Sequence, residues 1–449
     1  MKTHRFLAVA ASIATLSTAA GAQQAQPVER ITFQQAIDLA LRQNVAILQA
    51  ENNVETARLT VRQTANTWLP NLSISADGSN TMGQQFDTQT GTLVTKQSQS
   101  AGAGLSSSFT LWDPNRGLDV SAARLDVASS EASLFRSKQT SVYTVATQFV
   151  AYLGAKSQLD VQKENLSSLQ LQESQIQRFA DAGARPISDL YNIKAQVAQT
   201  QLAVVNAEAT IENAKFALMR TLQLDAAKDY DFVKPEIPTA VTNLNYNLDS
   251  LTQVAYRQRR DFVAAQNQVE AAHKRVSSAA RGQLPTLGFS IGYGSSGRFG
   301  QTTTFSDQFD QNKGGSIRTQ IGIPIFDRSN TRIQKTRAAI LEENSQLQLS
   351  SVRQQVALDV RTAWYNIRSA QQRLIAARAG LVSATQALEA MQQRYNVGAA
   401  TLLEVSQARA QRVNAQSNLA DAEYNLVVNQ AAMAYFTGEL DPSAMTIGR

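Results

Sequence analysis

The chain has 449 residues, of which 43% are hydrophobic and 17% charged, with no cysteine and a formal net charge of +6. Lacking cysteine, it has no disulfides, thiolate metal sites or cysteine nucleophiles, and its two histidines, His4 and His273, leave little for histidine-based metal or acid–base chemistry. Basic and acidic residues are interspersed, so no nucleic-acid footprint stands out.

Residues 1–22 read as an export signal. Lys2 and Arg5 form a basic start, Phe6 to Leu16 is a short apolar run, and Ala20-Gly21-Ala22 predicts cleavage after Ala22. No cysteine follows that would make a lipoprotein. No later stretch of about 18 apolar residues occurs, so the sequence holds no second membrane helix. The exported chain is then either soluble or held in an outer membrane by strands.

Four stretches alternate with period two. Leu72, Ile74 and Ala76 alternate with Ser73, Ser75 and Asp77; Leu105, Phe109 and Leu111 with Ser106, Ser108 and Thr110. Later, Leu287, Phe289, Ile291 and Tyr293 alternate with Gly288, Ser290 and Gly292, and Ile317, Thr319, Ile321, Ile323 and Ile325 with Arg318, Gln320 and Gly322. Alternation alone fits a sandwich strand or a lipid-facing barrel strand equally. The export signal and the polar loops expected at 78–99 and 295–315 favour the barrel.

Between prolines 114 and 186, and again between 324 and 442, the chain has no proline and little glycine. Proline in a helix interior costs about 3 kcal/mol and glycine about 1. Residues 118–182 and 329–396 therefore read as helices, each close to about 100 Å long at 1.5 Å per residue. Such lengths suit coiled coils and tubes. Residues 225–250 carry two prolines and read as a connection.

The chain is internally duplicated. Residues 36–75 align without a gap on 251–290: Ala40, Arg42 and Gln43 match Ala255, Arg257 and Gln258; Asn52, Val54 and Glu55 match Asn267, Val269 and Glu270; Leu69-Pro70 matches Leu284-Pro285. Each unit reads helix, strand, loop, strand, long helix, turn, helix. Four strands cannot close a transmembrane barrel, since single-chain barrels need at least about eight. An open sheet in lipid leaves unsatisfied edges. Chains must therefore associate, and the small inner-face residues favour the open lumen of a twelve-stranded trimer over a filled eight-stranded dimer.

The two turns read Arg178-Phe179-Ala180-Asp181-Ala182-Gly183-Ala184-Arg185-Pro186-Ile187-Ser188-Asp189-Leu190 and Arg394-Tyr395-Asn396-Val397-Gly398-Ala399-Ala400-Thr401-Leu402-Leu403-Glu404-Val405. The second strongly resembles the turn of the TolC family of outer-membrane efflux proteins, and the first is its degenerate partner. Asn425 to Gln430 and the paired Leu-Pro-x-Leu segments also resemble that family. The resemblance spans essentially the whole mature chain. It implies a mostly α, α+β fold: a homotrimeric channel-tunnel with four strands per chain in a shared 12-stranded β-barrel, continued by a periplasmic 12-helix α-barrel. The implied division is 1–22 signal peptide; 23–71 and 251–285 periplasmic helices; 72–113 and 286–327 barrel hairpins; 114–224 and 328–438 long helical hairpins; 225–250 an equatorial linker; and 439–449 a C-terminal segment. The implied partners are outer-membrane lipid, a periplasmic adaptor and an inner-membrane transporter of RND or ABC type.

Gly183 and Gly398 suit the positive φ that ends a helix. Thr401 and Glu404 have capping-box spacing, and in the first turn Pro186 precedes Ser188 or Asp189 as a cap. Glu404 is thus either a cap or one member of an acidic ring at the periplasmic mouth. By resemblance, Tyr395 and Asp189 form a link between neighbouring helical hairpins. Ala400 and Gln407 depart from the family, where a basic and an acidic residue occur, and Arg185 is a candidate substitute. His273 reads as solvated, and Trp112 and Tyr293 as aromatic-belt or packing residues.

The leading function is a passive exit duct for an efflux pump or a type I secretion system, with a gated periplasmic mouth. No nucleotide-binding G-x-x-x-x-G-K-[ST] is present, nor GxSxG or HExxH, so neither an enzyme nor a cofactor is expected. The alternative is an exported periplasmic coiled-coil protein without a pore.

Overall fold

A computed structural model describes residues 28–87, 91–234, 247–300 and 303–442. The leader read over residues 1–22 lies outside the described residues. The elements are β1 (Glu29–Ile31), α1 (Phe33–Gln43), α2 (Val45–Asn66), β2 (Ser73–Asp87), β3 (Thr92–Trp112), α3 (Arg116–Asp181) and α4 (Ile187–Leu222). They continue with β4 (Tyr230–Phe232), α5 (Leu248–Gln258), α6 (Arg260–Ala279), β5 (Thr286–Arg298), α7 (Phe305–Gln311), β6 (Gly314–Gly322), α8 (Asn330–Asn396) and α9 (Leu402–Thr437). Apart from α7, the second half repeats the first. Both α1–α2 and α5–α6 break at one residue with extended backbone, Asn44 and Arg259, which are equivalent in the sequence repeat.

With no proline to remove a helical hydrogen bond, α3 runs for 66 residues and α8 for 67, each about 100 Å long. Near the sheet, α2 and α6 flank α3, and α6 also packs on α8; toward the turns, α4 and α9 flank α3, and α9 also packs on α8. Every level of the wall is thus four helices wide. Many contact positions of α3 are alanine, including Ala122, Ala123, Ala132 and Ala146, so the backbones approach closely. Among the described residues no helix is long and apolar enough to cross a membrane.

The strands form one antiparallel sheet in the order β2-β3-β5-β6. The register pairs Ile74 with Leu105, Leu105 with Tyr293, Ile291 with Ile317 and Leu287 with Ile321. Because side chains alternate, these apolar residues share one face, while Ser106, Ser108, Ser290, Arg318 and Gln320 share the other. Within the sheet, β2 and β6 each have one unpaired edge.

The structure corrects several expectations. Most of the loop expected at 78–99 is strand: β2 continues to Asp87 and β3 starts at Thr92. The backbone ladder holds this extension, helped by a Ser79–Ser100 hydroxyl bond of 2.8 Å, so no apolar face is needed there. Within 295–315 the chain forms the end of β5 and the short α7. The last strand stops at Gly322, short of Ile323 and Ile325, because Pro324 has no N–H for a ladder. In the linker, β4 pairs in parallel with β1, Ile31 opposite Phe232.

That small sheet lies on the main core. Phe149 of α3 meets Phe33 at 5.3 Å and Phe232 at 5.8 Å between ring centroids, both edge-on. Leu153, Leu218 and Leu222 pack around them. A second core joins α5, α8 and α9 around Val360, Ile367 and Leu374, and a third surrounds the turns. The charged Arg259 is also buried, 3% exposed, and donates to Asp261 at 2.6 Å and to Asp359 at 2.8 Å. At the sheet–helix junction Arg116 donates to the carbonyls of Thr110 and Thr67, both at 3.0 Å, tying β3 to the end of α2.

Candidate functional site: the two helix turns

The turns are built alike. Gly183 has φ of 69° and Gly398 of 79°. The amide after each glycine reaches back to its helix, Ala184 to the Phe179 carbonyl and Ala399 to that of Arg394, both at 2.8 Å. The glycine amides donate to the Ala180 and Tyr395 carbonyls at 3.0 Å. Paired bonds of this kind satisfy the orphan carbonyls of a helix end. A Cβ on either glycine would meet no neighbour, so the requirement for glycine is conformational.

Beyond the second turn, α9 opens with a capping box. The Thr401 amide donates to Glu404 Oε2 at 2.6 Å, and the Glu404 amide donates to Thr401 Oγ1 at 3.3 Å. The Thr401 backbone bond, then its hydroxyl, hold the Glu404 carboxyl below its ordinary range, and the charge of Arg394 adds to this. Within one chain the cap thus favours the charged form of Glu404. In the first turn Pro186 itself takes the cap position, and no side chain caps α4. Ser188 and Asp189 already lie inside the helix, contrary to the expectation that one of them caps. Asp189 instead places negative charge in the first turn, where the helix dipole favours it.

Three of the expected residues come together. The Arg185 guanidinium lies 4.2 Å from the centre of the Tyr395 ring and donates to the Tyr395 carbonyl at 3.0 Å. Tyr395 is buried, and its hydroxyl has no hydrogen-bond partner among the described residues. Burial raises its pKa; Arg185 opposes this and the nearby Asp189 carboxylate reinforces it. Gln407 is exposed on α9 and joins none of these contacts. Ala400 is buried with Leu190, Leu402 and Val405, where a long basic side chain would not fit without leaving the core.

Sequence reasoning missed the polar seam between α3 and α9. Arg409 is buried against Gln172, and desolvation lowers its pKa. Three residues on, Arg412 donates to Glu164 at 3.0 Å, and Gln416 donates to the other oxygen of Glu164 at 3.0 Å. The bonds from Gln416 and Arg412 lower the Glu164 pKa. The spacing of Arg409 and Arg412 on one helical face was the available signal. Elsewhere, His273 is largely exposed as expected but also faces Glu342 at 3.0 Å.

The duplicated chain joins a four-stranded sheet to a wall four helices wide. A sequence model described as "Outer membrane efflux protein" matches in two stretches, residues 36–222 and 251–439, and the chain belongs to that family. Its two stretches start where the internal repeat starts. The chain is 22% identical over 436 residues to the outer membrane protein TolC of Vibrio cholerae, covering 97% of this chain and 95% of that protein. It resembles the solved structure of CusC, which is described as forming a transmembrane channel, with a TM-score of 0.78 and 20% identity over 90% of this chain and 92% of that one. It also resembles the outer membrane protein VceC of Vibrio cholerae, with a TM-score of 0.75 and 18% identity over 90% and 96% of the two chains. The family is one of transport ducts, not of enzymes.

Proposed function

We propose that three copies of the chain form the outer-membrane exit duct of an efflux pump or a type I secretion system. The observation that carries this reading is the sheet: four strands, unpaired edges on β2 and β6, and one face lined by Ile74, Leu105, Ile291, Ile317 and Ile321. Closing the edges between copies satisfies the backbone in lipid, and twelve strands leave a lumen. The division into barrel hairpins 72–113 and 286–327 and helical hairpins 114–224 and 328–438 follows from this assembly.

In this reading the helix turns face the periplasm, where an adaptor and an inner-membrane transporter engage them. Exposed Val397 and Leu403 at the turn suit such a contact. The cluster of Arg185, Asp189 and Tyr395 holds the mouth narrow, and Glu404 from each copy forms an acidic ring there. Export directs the chain to the outer membrane.

Mass measurement of the detergent-solubilised protein tests the assembly, with a trimer expected; a stable monomer or dimer overturns it. Recording in planar bilayers tests the mouth. Glu404→Gln should relieve block by divalent cations applied from the periplasmic side. Unchanged block leaves Glu404 as a helix cap alone.

A further inference from the structure

Where α2 meets the sheet, the polar face of β3, β5 and β6 encloses a concavity of about 1150 Å³. Two cations line it, Arg62 from α2 and Arg318 from β6. Both are exposed, and neither forms an ion pair among the described residues. Their neighbours behave differently. One turn earlier, Arg58 pairs with Glu131 at 2.7 Å; at the junction, Arg116 and Arg281 are bound to backbone carbonyls. The one acidic residue of the lining, Asp113, accepts the Asn115 amide at 2.9 Å at the start of α3. Gln63 and Gln320 add amide donors to the same wall.

We propose that this concavity is a binding station on the inner wall of the duct for cargo carrying oxyanion groups: phosphate, sulfonate or carboxylate. The inference rests on the duct reading, because in the assembled tube the polar face of the sheet becomes the lumen. A guanidinium presents paired donors that match an oxyanion in bidentate fashion. A lumen lined by one sign of charge between low-dielectric walls concentrates counter-ions. Threefold repetition sets Arg62 and Arg318 around one cross-section. The station lies at the foot of the barrel, a long helix away from Glu404, so the two ends of the helical tunnel act on ions of opposite sign.

The test is block of single channels by inorganic tripolyphosphate added on the barrel side. The unmodified protein should be blocked at millimolar concentration. Raising the salt from 0.1 to 1 M, which shortens the screening length from about 10 to about 3 Å, should relieve that block. Arg62→Gln combined with Arg318→Gln should weaken block at least about tenfold, since even one lost charge-assisted contact is on that scale. Block by divalent cations from the opposite side should not change. Arg318→Lys, which keeps the charge, should retain most of the block and guards against a variant that fails to assemble. Conducting pores that tripolyphosphate does not block, or a double variant blocked like the unmodified protein, overturn this inference and leave the duct intact. A protein that forms no conducting pore overturns the duct reading itself, and this inference with it.

Discussion

Gly438 and Arg259 are in backbone contact: a Cβ on Gly438 would stand 2.8 Å from the Arg259 amide nitrogen. The end of α9 is thus pressed onto the break between α5 and α6. From α3, the buried Gln139 donates to the Gly438 carbonyl at 3.1 Å and to that of Leu440 at 2.9 Å, and Arg136 donates to the Tyr435 carbonyl at 3.0 Å. Gly438 also has φ of 81°. Gly438→Ala therefore meets a steric and a conformational penalty together, and should cost about 2–4 kcal/mol. Urea unfolding of the purified protein measures it. Gly398→Ala, where the added Cβ has open space, should cost only the conformational part, about 1 kcal/mol.

The buried Arg259 should be sensitive to removal. Arg259→Met strips Asp359 of its cation and leaves Asp261 only Arg136 at 3.9 Å, and breaking such a pair costs about 3–5 kcal/mol. A pH effect accompanies it. Burial raises the Asp261 pKa, but the bond and charge of Arg259 outweigh it and hold the group below its ordinary range. A depressed carboxyl pKa contributes stability that is complete above the unfolded value of about 3.9 and is lost as pH falls through the folded value. The melting temperature should fall on acidification below about pH 4, and Asp261→Asn should flatten that fall.

The strand register predicts opposite outcomes at adjacent positions. Ile321 shares the apolar face with Leu287 and Ile317, while Gln320 lies on the face that lines the concavity. Ile317→Arg, on the same apolar face but further from the foot of the barrel, should cost about 2–4 kcal/mol, and Ser316→Arg, on the face shared with Gln320, should be tolerated. Folding into lipid vesicles, followed by denaturant titration, separates them. Equal costs would overturn this register, and reversed costs would mean that the faces are exchanged.

Tyr395 offers a test of the mouth. Its hydroxyl is buried without a partner among the described residues. Removing an unpartnered polar atom is neutral or stabilising by up to about 1 kcal/mol, so Tyr395→Phe should not lower the stability of the single chain. Arg185→Ala removes both the contact over the ring and the bond to the Tyr395 carbonyl, and should loosen the turn by about 1–2 kcal/mol. Hydrogen exchange over residues 394–402 reads that loosening. If Tyr395→Phe raises the resting conductance of the assembled channel, the hydroxyl finds its partner in a neighbouring copy.

Proline and glycine made the long helices and their turns legible to within a residue or two. Strand faces were legible because one side is apolar, as at Ile74, Leu105 and Ile291. The upper part of β2 and β3 was not: Ser79, Asn80, Gln97 and Ser98 carry no alternation of polarity, and the backbone ladder, with the Ser79–Ser100 hydroxyl bond, holds them extended. Strands β1 and β4 are three residues each, too short for any period to show. The capping box at Thr401 was legible from spacing. The contact of Arg185 with Tyr395 joins residues far apart in sequence, and the resemblance supplied only the neighbourhood. Nothing local in the sequence marks Arg116 and Arg259 as buried.

Helices α3 and α8 pass without a break from the sheet-side layer to the turn-side layer, while their neighbours change from α2 and α6 to α4 and α9. Each therefore acts as a rigid key between two separate sets of packing partners. One residue inserted midway would rotate everything below it by about 100° and displace every contact face there. Seven residues restore the face nearly completely, with a drift of about 20°. The duct can consequently change its length in quanta of about seven or eleven residues, introduced at matching points of both repeats and in the neighbouring helix of each hairpin. An insertion in one repeat alone would leave the wall stepped, with one hairpin turn out of level with the other.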